Sequence, residues 1–245
     1  MRLKLIACEV VKMEVEKLLP DVGHEIECDF RPIGLHDEPD KLRADLQEAV
    51  AGTEDGFDYL LLGYGICSTG LAQIRAGSIP LVIPRAHDCI TFFLGSHRRY
   101  LAEFTGHPGT YYFTCGWIER KEAYPEESLL KSRQEAARRA RFEEYVAKYG
   151  EDNARYLIEV ESTWMQHYDR AAFINEGIGD LEAYRRFTRQ VAEDHDWQYV
   201  EIEGSDRLLR ALLAGPWPEE EFLIVPPGGQ IVERYDGSII GVDGP

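Results

Sequence analysis

The chain has 245 residues, of which 44% are hydrophobic and 29% are charged, and this composition is typical of a globular protein with a substantial core. Its formal net charge of −17 argues against a nucleic-acid partner, because most of the surface would repel phosphates. No stretch approaches the roughly 18 apolar residues of a membrane span. The short apolar run at the start is interrupted by Glu9, so a signal peptide is not expected either.

The cysteine content predicts a reducing compartment. Five cysteines are an odd number for a disulfide framework. A cytoplasmic location is therefore expected, since thiols stay reduced there. Cysteines in such a protein are expected to be free, metal-bound or redox-active.

The first part of the chain alternates short apolar runs with helical patterns. Strands are predicted at 3–8, 25–33, 58–63, 79–83 and 110–114. Helices are predicted at 10–19 and 39–51, with a third from about 90 to 104 that has an apolar face. The continuous apolar run at 58–63 is typical of a strand buried in a parallel sheet.

The rest of the chain is helical at first and then repeats the opening order. Residues 120–168 contain two predicted helices, 128–149 and 152–168, which are separated by Gly150. Strands at 171–174, 198–202 and 222–225 then alternate with helices at 181–195 and 205–213. The tail from Gly228 is expected to form a hairpin or an edge extension.

These patterns predict an α/β fold with one or two doubly wound parallel sheets, built from two β-α-β-α-β units with a helical insertion between them. The predicted division is an N-terminal Rossmann-like lobe at 1–119, a helical segment at 120–168 and a second Rossmann-like lobe at 169–245. Ligands of such folds bind outside the carboxyl ends of the strands. The N-terminal lobe is expected to carry the site.

Four cysteines follow predicted strands, whereas Cys28 lies within one and is interpreted as structural. Cysteine thiolates and histidine nitrogens are the usual zinc ligands. The sequence therefore predicts a zinc site with Cys8, Cys67 and Cys89 as ligands and His87 or Cys115 as the fourth. The alternative is that these cysteines are small buried residues at strand ends.

A metal-free mechanism uses the same segment. Asp88 is expected to cap a helix that begins near Cys89, and a thiol in the first turn would be favoured as a thiolate. His87 would then act as its base or ion-pair partner, so His87 and Asp88 are the candidate catalytic residues. His97 fits a helix and is interpreted as structural.

The loop after the third strand is rich in glycine and could let a ligand approach the backbone. Gly63, Tyr64 and Gly65 are the candidate substrate-binding residues of this loop. Arg85 is a further candidate, because its guanidinium could bind a carboxylate or phosphate. Pairing of Arg85 with a neighbouring acidic side chain is the alternative.

Several motifs of the chain resemble those of the uncharacterised DUF1638 family. They are Leu-Gly-Tyr-Gly-Ile-Cys (62–67), Ile-Pro-Leu-Val-Ile-Pro-Arg-Ala-His-Asp-Cys-Ile-Thr (79–91), Leu-Gly-Ser (94–96) and Pro-Gly-Thr-Tyr-Tyr (108–112). Ala-Cys-Glu (7–9) and Trp-Ile-Glu (117–119) fit as well. The resemblance implies that Cys8, Cys67, His87 and Cys89 stand at motif positions. It also implies a setting beside corrinoid-dependent methyltransferase systems.

The leading hypothesis is a zinc-binding enzyme of corrinoid-linked methyl-group or one-carbon metabolism, in which the metal activates a thiol or water. Its partners would be a small-molecule substrate and a corrinoid protein or methyltransferase, and a corrinoid is the second cofactor considered. One alternative is a non-catalytic accessory protein that binds a corrinoid, a metal or a methyltransferase. The other is a metal-free thiolate enzyme that uses Cys89 and His87.

Overall fold

The computed structural model describes residues 1–66, 69–123, 129–234 and 237–244. The chain forms two compact units. Unit 1 comprises Met1–Leu101 and Gly204–Pro245, and unit 2 comprises Ala102–Glu203. The sequence-based division at 119 and 168 differs from these boundaries, because the last 42 residues return to unit 1.

The elements of the described residues are nine α-helices and ten strands. The strands are β1 (Arg2–Cys8), β2 (Glu25–Arg31), β3 (Tyr59–Gly63), β4 (Leu81–Pro84), β5 (Thr110–Phe113), β6 (Arg170–Asn175), β7 (Gln198–Glu203), β8 (Phe222–Val225), β9 (Gln230–Glu233) and β10 (Ile240–Asp243). The helices are α1 (Lys12–Leu18), α2 (Pro39–Ala51), α3 (Ile90–Leu94), α4 (His97–Gly106), α5 (Cys115–Ala123), α6 (Lys131–Tyr149), α7 (Glu151–Ser162), α8 (Leu181–His195) and α9 (Arg207–Ala214). The protein is therefore of the mixed α/β class, as predicted.

Unit 1 is built on a five-stranded sheet with the order β2-β1-β3-β4-β8. The pairs β1–β2, β1–β3 and β3–β4 are parallel. Only β8 runs antiparallel, with Pro84 opposite Phe222. The sheet is thus mostly parallel, and the fully buried run Leu60–Leu62 of β3 lies at its centre.

The core of unit 1 shows why α2 forms where the sequence predicts it. Leu42, Leu46 and Val50 are spaced four residues apart, so they lie on one face of the helix. They are buried in one cluster with Ile6 and Leu60 of the sheet. A fully buried leucine contributes about 2 kcal/mol relative to an exposed one. This stripe therefore holds α2 on the sheet.

The segment after β7 belongs to unit 1 because it is apolar on its inner side. Leu208, Leu209, Leu212 and Leu213 of α9 are all buried, and α9 contacts β3 and β4. The following strand, β8, completes the sheet beside β4. The sequence interpretation placed both elements in a second lobe, since an apolar pattern does not encode its partner.

The predicted C-terminal hairpin is confirmed. β9 and β10 pair antiparallel, with Gln230 opposite Asp243. Ile231 and Ile240 of the hairpin are buried in the same core cluster of unit 1 as α2. The hairpin is therefore part of the core rather than an appendage.

Unit 2 contains a three-stranded parallel sheet with the order β5-β6-β7. Its helix α8 begins where the Asp180 side chain accepts a hydrogen bond from the Ala183 backbone N–H. The two helices predicted before β6 are confirmed as α6 and α7, and Gly150 separates them with a φ of 83°. Among the described helices, none has the length and apolarity that crossing a membrane requires.

Candidate functional site

The topology of unit 1 brings three of the predicted segments to one edge. β1, β3 and β4 are parallel neighbours, so their carboxyl ends lie side by side. Cys8 ends β1, Gly63 ends β3, and Arg85–Cys89 follow β4. Thus residues that are distant in sequence are placed along one edge.

The strand order reverses at this edge. From β1 the chain moves outward to β2, then returns to the opposite side of β1 to form β3. In open α/β sheets a reversal of this kind creates a crevice at the carboxyl ends of the two strands, and ligands bind there. The crevice position corresponds to Cys8 and Gly63.

The loop after β3 packs its backbone directly on the segment after β4. The Ile66 N–H donates to the Ala86 carbonyl oxygen at 2.9 Å. A Cβ atom on Gly65 would lie only 2.7 Å from the Asp88 backbone nitrogen. Glycine is therefore required here for close packing of two loops, independently of any ligand.

The other candidate substrate-binding residues are placed less directly for such a role. Tyr64 is 4% exposed and lies in the hydrophobic core of unit 1, and a Cβ on Gly63 would meet Ala7 at 2.6 Å. Arg85 donates hydrogen bonds to the carbonyl oxygens of Glu219 and Ser238, both at 2.7 Å. These contacts give Arg85 an anchoring role toward the C-terminal hairpin, which the sequence did not indicate.

The Asp88 carboxyl group accepts hydrogen bonds from both α3 and α4. Its Oδ1 accepts from the Ile90 backbone N–H at 3.0 Å, as expected of a residue that caps α3. Its Oδ2 accepts from the Tyr100 hydroxyl at 2.9 Å. Burial raises the pKa of Asp88, whereas the Tyr100 hydroxyl and the backbone N–H groups oppose the rise. The carboxyl group is thus oriented by both α3 and α4.

His87 has a neighbour that sequence reasoning did not assign to the site. The His87 side chain is exposed, and its ring centroid lies 5.2 Å from that of His97 and 5.8 Å from that of Tyr100. Burial, together with His87, lowers the pKa of His97. The structure therefore groups two imidazoles and a phenol beside Asp88.

The signal for this grouping was present at Gly95 and Ser96. The expected single helix from 90 to 104 is interrupted, because Gly95 adopts a left-handed φ of 77° and a Cβ there would lie 2.5 Å from the Ser205 hydroxyl oxygen. Ser96 then starts α4 by accepting from the Arg99 N–H at 3.2 Å. Glycine followed by serine is a common end and start of two helices.

The predicted metal ligands are only partly accounted for. Cys8 and Cys89 are half-buried, and Cys67 lies outside the described residues. Within the described part of the chain, the ligand atoms of Cys8, His87 and Cys89 do not all lie within 4.8 Å of one another. The three share a sheet edge without forming a closed metal cage.

The remaining two cysteines lie elsewhere. Cys115 follows β5 in the sheet of unit 2, where its buried Sγ lies 3.2 Å from a carboxylate oxygen of Glu176 and 3.4 Å from the Ile178 carbonyl oxygen. Cys28 lies within β2, and burial raises the pKa of its thiol, which disfavours the thiolate. Cys28 therefore fits its structural interpretation.

Comparison with models of protein families identifies the family of this chain. The model of a family described as "Protein of unknown function (DUF1638)" matches residues 30–213. This segment includes Cys67, His87, Cys89 and Cys115, and it begins after Cys8. Neither a curated protein nor a solved structure matches the chain. Since the match covers most of the sequence, the chain belongs to the DUF1638 family.

Proposed function

We propose that this protein binds zinc at the carboxyl edge of the unit 1 sheet. The proposed ligands are Cys8, Cys67, Cys89 and His87, and Cys115, which follows a strand of the unit 2 sheet, is not included. The observation that carries the proposal is the adjacency of the parallel strands β1, β3 and β4. It brings the segments with Cys8, His87 and Cys89 to one edge.

The chemistry of the donor set fits zinc. Thiolate sulfur and imidazole nitrogen are its preferred ligands, and sites with oxygen ligands only would suit magnesium or calcium instead. A bound zinc ion would supply a Lewis acid that activates a thiol or a water molecule near neutral pH. The distances among Cys8, His87 and Cys89 require side-chain rotation before one ion could contact all three.

The residues around the ligands would position a small substrate. His87 is exposed, so it can meet an incoming molecule from solvent. Asp88 is fixed by Tyr100 and by the start of α3. Its carboxylate would therefore orient a substrate hydroxyl, amine or thiol, or hold a proton at Oδ1 or Oδ2. These roles make His87 and Asp88 the catalytic candidates.

We further propose that the unit 1 sheet is doubly wound and that the protein acts in the cytoplasm. Thiol ligands stay reduced there. The substrate we propose is a thiol or methyl donor of corrinoid-linked one-carbon metabolism, an association that comes from the family resemblance. A corrinoid protein or methyltransferase would be the corresponding partner.

Metal analysis of protein purified without a nickel column tests the proposal. About one equivalent of zinc is expected, and it should fall in Cys89→Ser and Cys8→Ser but not in the control Cys28→Ser. Less than about a tenth of an equivalent in the unmodified protein, together with no uptake of added zinc, would overturn the proposal. If zinc binds, an assay for methyl transfer from candidate donors to thiols would distinguish an enzyme from an accessory protein that only binds metal.

The metal-free thiolate enzyme is the second candidate. It is favoured by the absence, among the described residues, of a compact ligand set that contains Cys8, His87 and Cys89. Cys89 immediately precedes α3, and His87 stands two residues before it. This candidate predicts that Cys89 is alkylated faster than Cys28 by iodoacetamide at pH 7, and that chelators do not change the rate. Slower alkylation in the presence of zinc would favour the metal site.

A further inference from the structure

The chain folds back on itself between β4 and α4. His87 follows β4, α3 adds little more than one turn, and Gly95 ends that helix with a left-handed φ of 77° before α4 begins at His97. The rings of His87 and His97 come to face each other with centroids 5.2 Å apart and planes inclined by 44°. Both histidines belong to unit 1.

One nitrogen of this pair is conspicuous. The Nδ1 atom of His97 is buried and has no hydrogen-bond partner among the described residues. Buried polar side-chain atoms nearly always have a partner, so an exception suggests a missing ion, water or ligand. The nitrogen lone pair of a neutral imidazole is a common ligand of transition metals.

The ring separation agrees with binding of one tetrahedral ion. With a zinc–nitrogen distance of about 2.0–2.1 Å, the centroid of a bound imidazole lies roughly 3.2 Å from the metal, and two such rings are then about 5.2 Å apart. Simple aromatic packing gives centroid separations of about 4.5–7 Å, so it is the competing explanation. The experiment has to separate the two.

Tyr100 supports the pair from one side. Its ring centroid lies 5.8 Å from that of His87 and 6.4 Å from that of His97, and its hydroxyl group is fixed by Asp88 at 2.9 Å. Groups that surround metal-bound histidines commonly fix the ring orientations in this way. The two imidazoles are therefore held from α4 as well as from the loop after β4.

We propose that His97 is a further metal ligand and binds the same zinc ion as His87. This inference rests on the proposed function and replaces one of its four ligands by a second imidazole, so that the ion remains four-coordinate. Among the described residues, the ligand atoms of His87, His97 and a third histidine, cysteine or carboxylate do not all lie within 4.8 Å of one another. The remaining ligands are the thiolates of Cys8 and Cys89, whose side chains must rotate to reach the ion.

Nitrogen-15 NMR of the histidine side chains, recorded while zinc is added, tests this directly. Both His87 and His97 resonances should shift to values of metal-bound imidazole at one equivalent, and His36, which is exposed, should not. His97→Ala should weaken zinc affinity by at least about 100-fold, and the control His36→Ala by less than about 3-fold. His97→Gln serves as a second variant if alanine at this position disturbs the fold.

The outcomes separate the two proposals. Zinc binding by the wild-type protein with an unchanged His97 resonance, and with full affinity in His97→Gln, would overturn the role of His97 and leave the Cys/His site standing. It would assign His97 to aromatic packing alone. Absence of zinc binding by the wild-type protein would overturn both. With cobalt in place of zinc, loss of His97 should alter the d–d bands but keep the thiolate charge-transfer band.

Discussion

The two sheets differ in how they treat polar side chains at their carboxyl edges. In unit 2 the buried Cys115 thiol lies 3.2 Å from Glu176, so the thiol already has a partner inside the protein. In unit 1 His87 is exposed, and Nδ1 of His97 has no partner among the described residues. Both edges carry cysteine, but the unit 2 thiol lies against a carboxylate, whereas the unit 1 edge presents two neighbouring imidazoles. A position just after a strand is therefore weak evidence for a functional site. Whether the side chain already has a partner inside the protein is the better criterion.

Two carboxyl groups show the same difference between a polar side chain that has a partner and one that has none among the described residues. Glu14 of α1 is 2% exposed, and neither of its Oε atoms has a hydrogen-bond partner among the described residues. Burial raises its pKa from 4.5 to about 7. Glu201 of β7 pairs with Arg185 at 2.8 Å, and this contact lowers its pKa to about 2. The two groups should therefore give opposite dependences of stability on pH.

The largest expected effect concerns the cysteines of the two edges. Cys89→Ser in unit 1 should weaken zinc binding by at least about 1,000-fold, or about 4 kcal/mol, since changes even in groups outside the ligand shell cost 10–100-fold. Cys115→Ser in unit 2 is the matched control and should change affinity by less than about 3-fold. Competition with a chromophoric chelator measures both. A large loss of zinc affinity in Cys115→Ser with little change in Cys89→Ser would indicate that zinc binds in unit 2 instead.

A smaller effect is expected at the buried carboxyl group of unit 1. Because the folded pKa of Glu14 lies above the unfolded value, its contribution to stability is present below pH 4.5 and is lost as the pH rises through about 7. At pH 8 the ionised group should cost on the order of 3 kcal/mol, which Glu14→Gln would remove.

Urea unfolding at pH 4.5 and pH 8 measures this difference. The gain in unfolding free energy of Glu14→Gln should be confined to the higher pH. Glu16→Gln is the control, since the Glu16 side chain on the same helix is 57% exposed and should show little change at either pH. An equal effect of Glu14→Gln at both pH values would contradict the shifted pKa.

A third test concerns the close contact of the two loops in unit 1. Gly65→Ala would place a methyl group 2.7 Å from the Asp88 backbone, and relieving such a contact typically costs about 1–3 kcal/mol. Gly77→Ala is the matched control, because a Cβ at Gly77 has no atom within 4 Å. Thermal unfolding should show a lower midpoint for the first variant only. Equal midpoints would indicate that the loop after β3 yields easily.

The smallest effect is expected at the ion pair of unit 2. Arg185→Met should lower the unfolding free energy modestly at pH 7, because the ion pair with Glu201 is partly exposed and screened by solvent. Since the folded pKa of Glu201 is depressed, its contribution is present above pH 4.5 and is lost as the pH falls through about 2. The difference in unfolding free energy between Arg185→Met and the wild-type protein should therefore become smaller from pH 7 to pH 3.

A matched control for this pair is Glu182→Gln, since Glu182 is the other partner of Arg185 and its side chain is 68% exposed. It should change stability by only a few tenths of a kcal/mol. A gap between Arg185→Met and wild type that stays constant with pH would show that the pairing does not set the titration of Glu201.

The sequence predicted the local elements well where hydrophobic spacing and helix breakers agree. The bounds of α2, α8 and β8 coincide with the predicted ones, because each apolar pattern ends at a residue or turn that interrupts it. The partner of β8 could not be predicted. A four-residue apolar strand can pair in either direction, and only the tertiary structure places it antiparallel to β4.

For the site, the sequence indicated the edge but missed one member. His87, Asp88 and Cys89 were recognised because they follow a buried strand. The apolar spacing predicts that His97 lies on one face of a single long helix, whereas the break at Gly95 places it beside His87. A helical pattern of apolar residues can continue across a short break in the helix. Hydrophobic periodicity alone therefore does not detect the break. The glycine–serine pair was the better signal.

The left-handed turn at Gly95 also makes the chain between the two histidines a spacer of fixed length. Each residue inserted into α3 would rotate the following chain by about 100° and advance it by about 1.5 Å. His97 would then leave His87, although every side chain of the pair would still be present. Variants of this protein should therefore keep the two imidazoles together after substitutions between residues 87 and 97 far more readily than after insertions or deletions there.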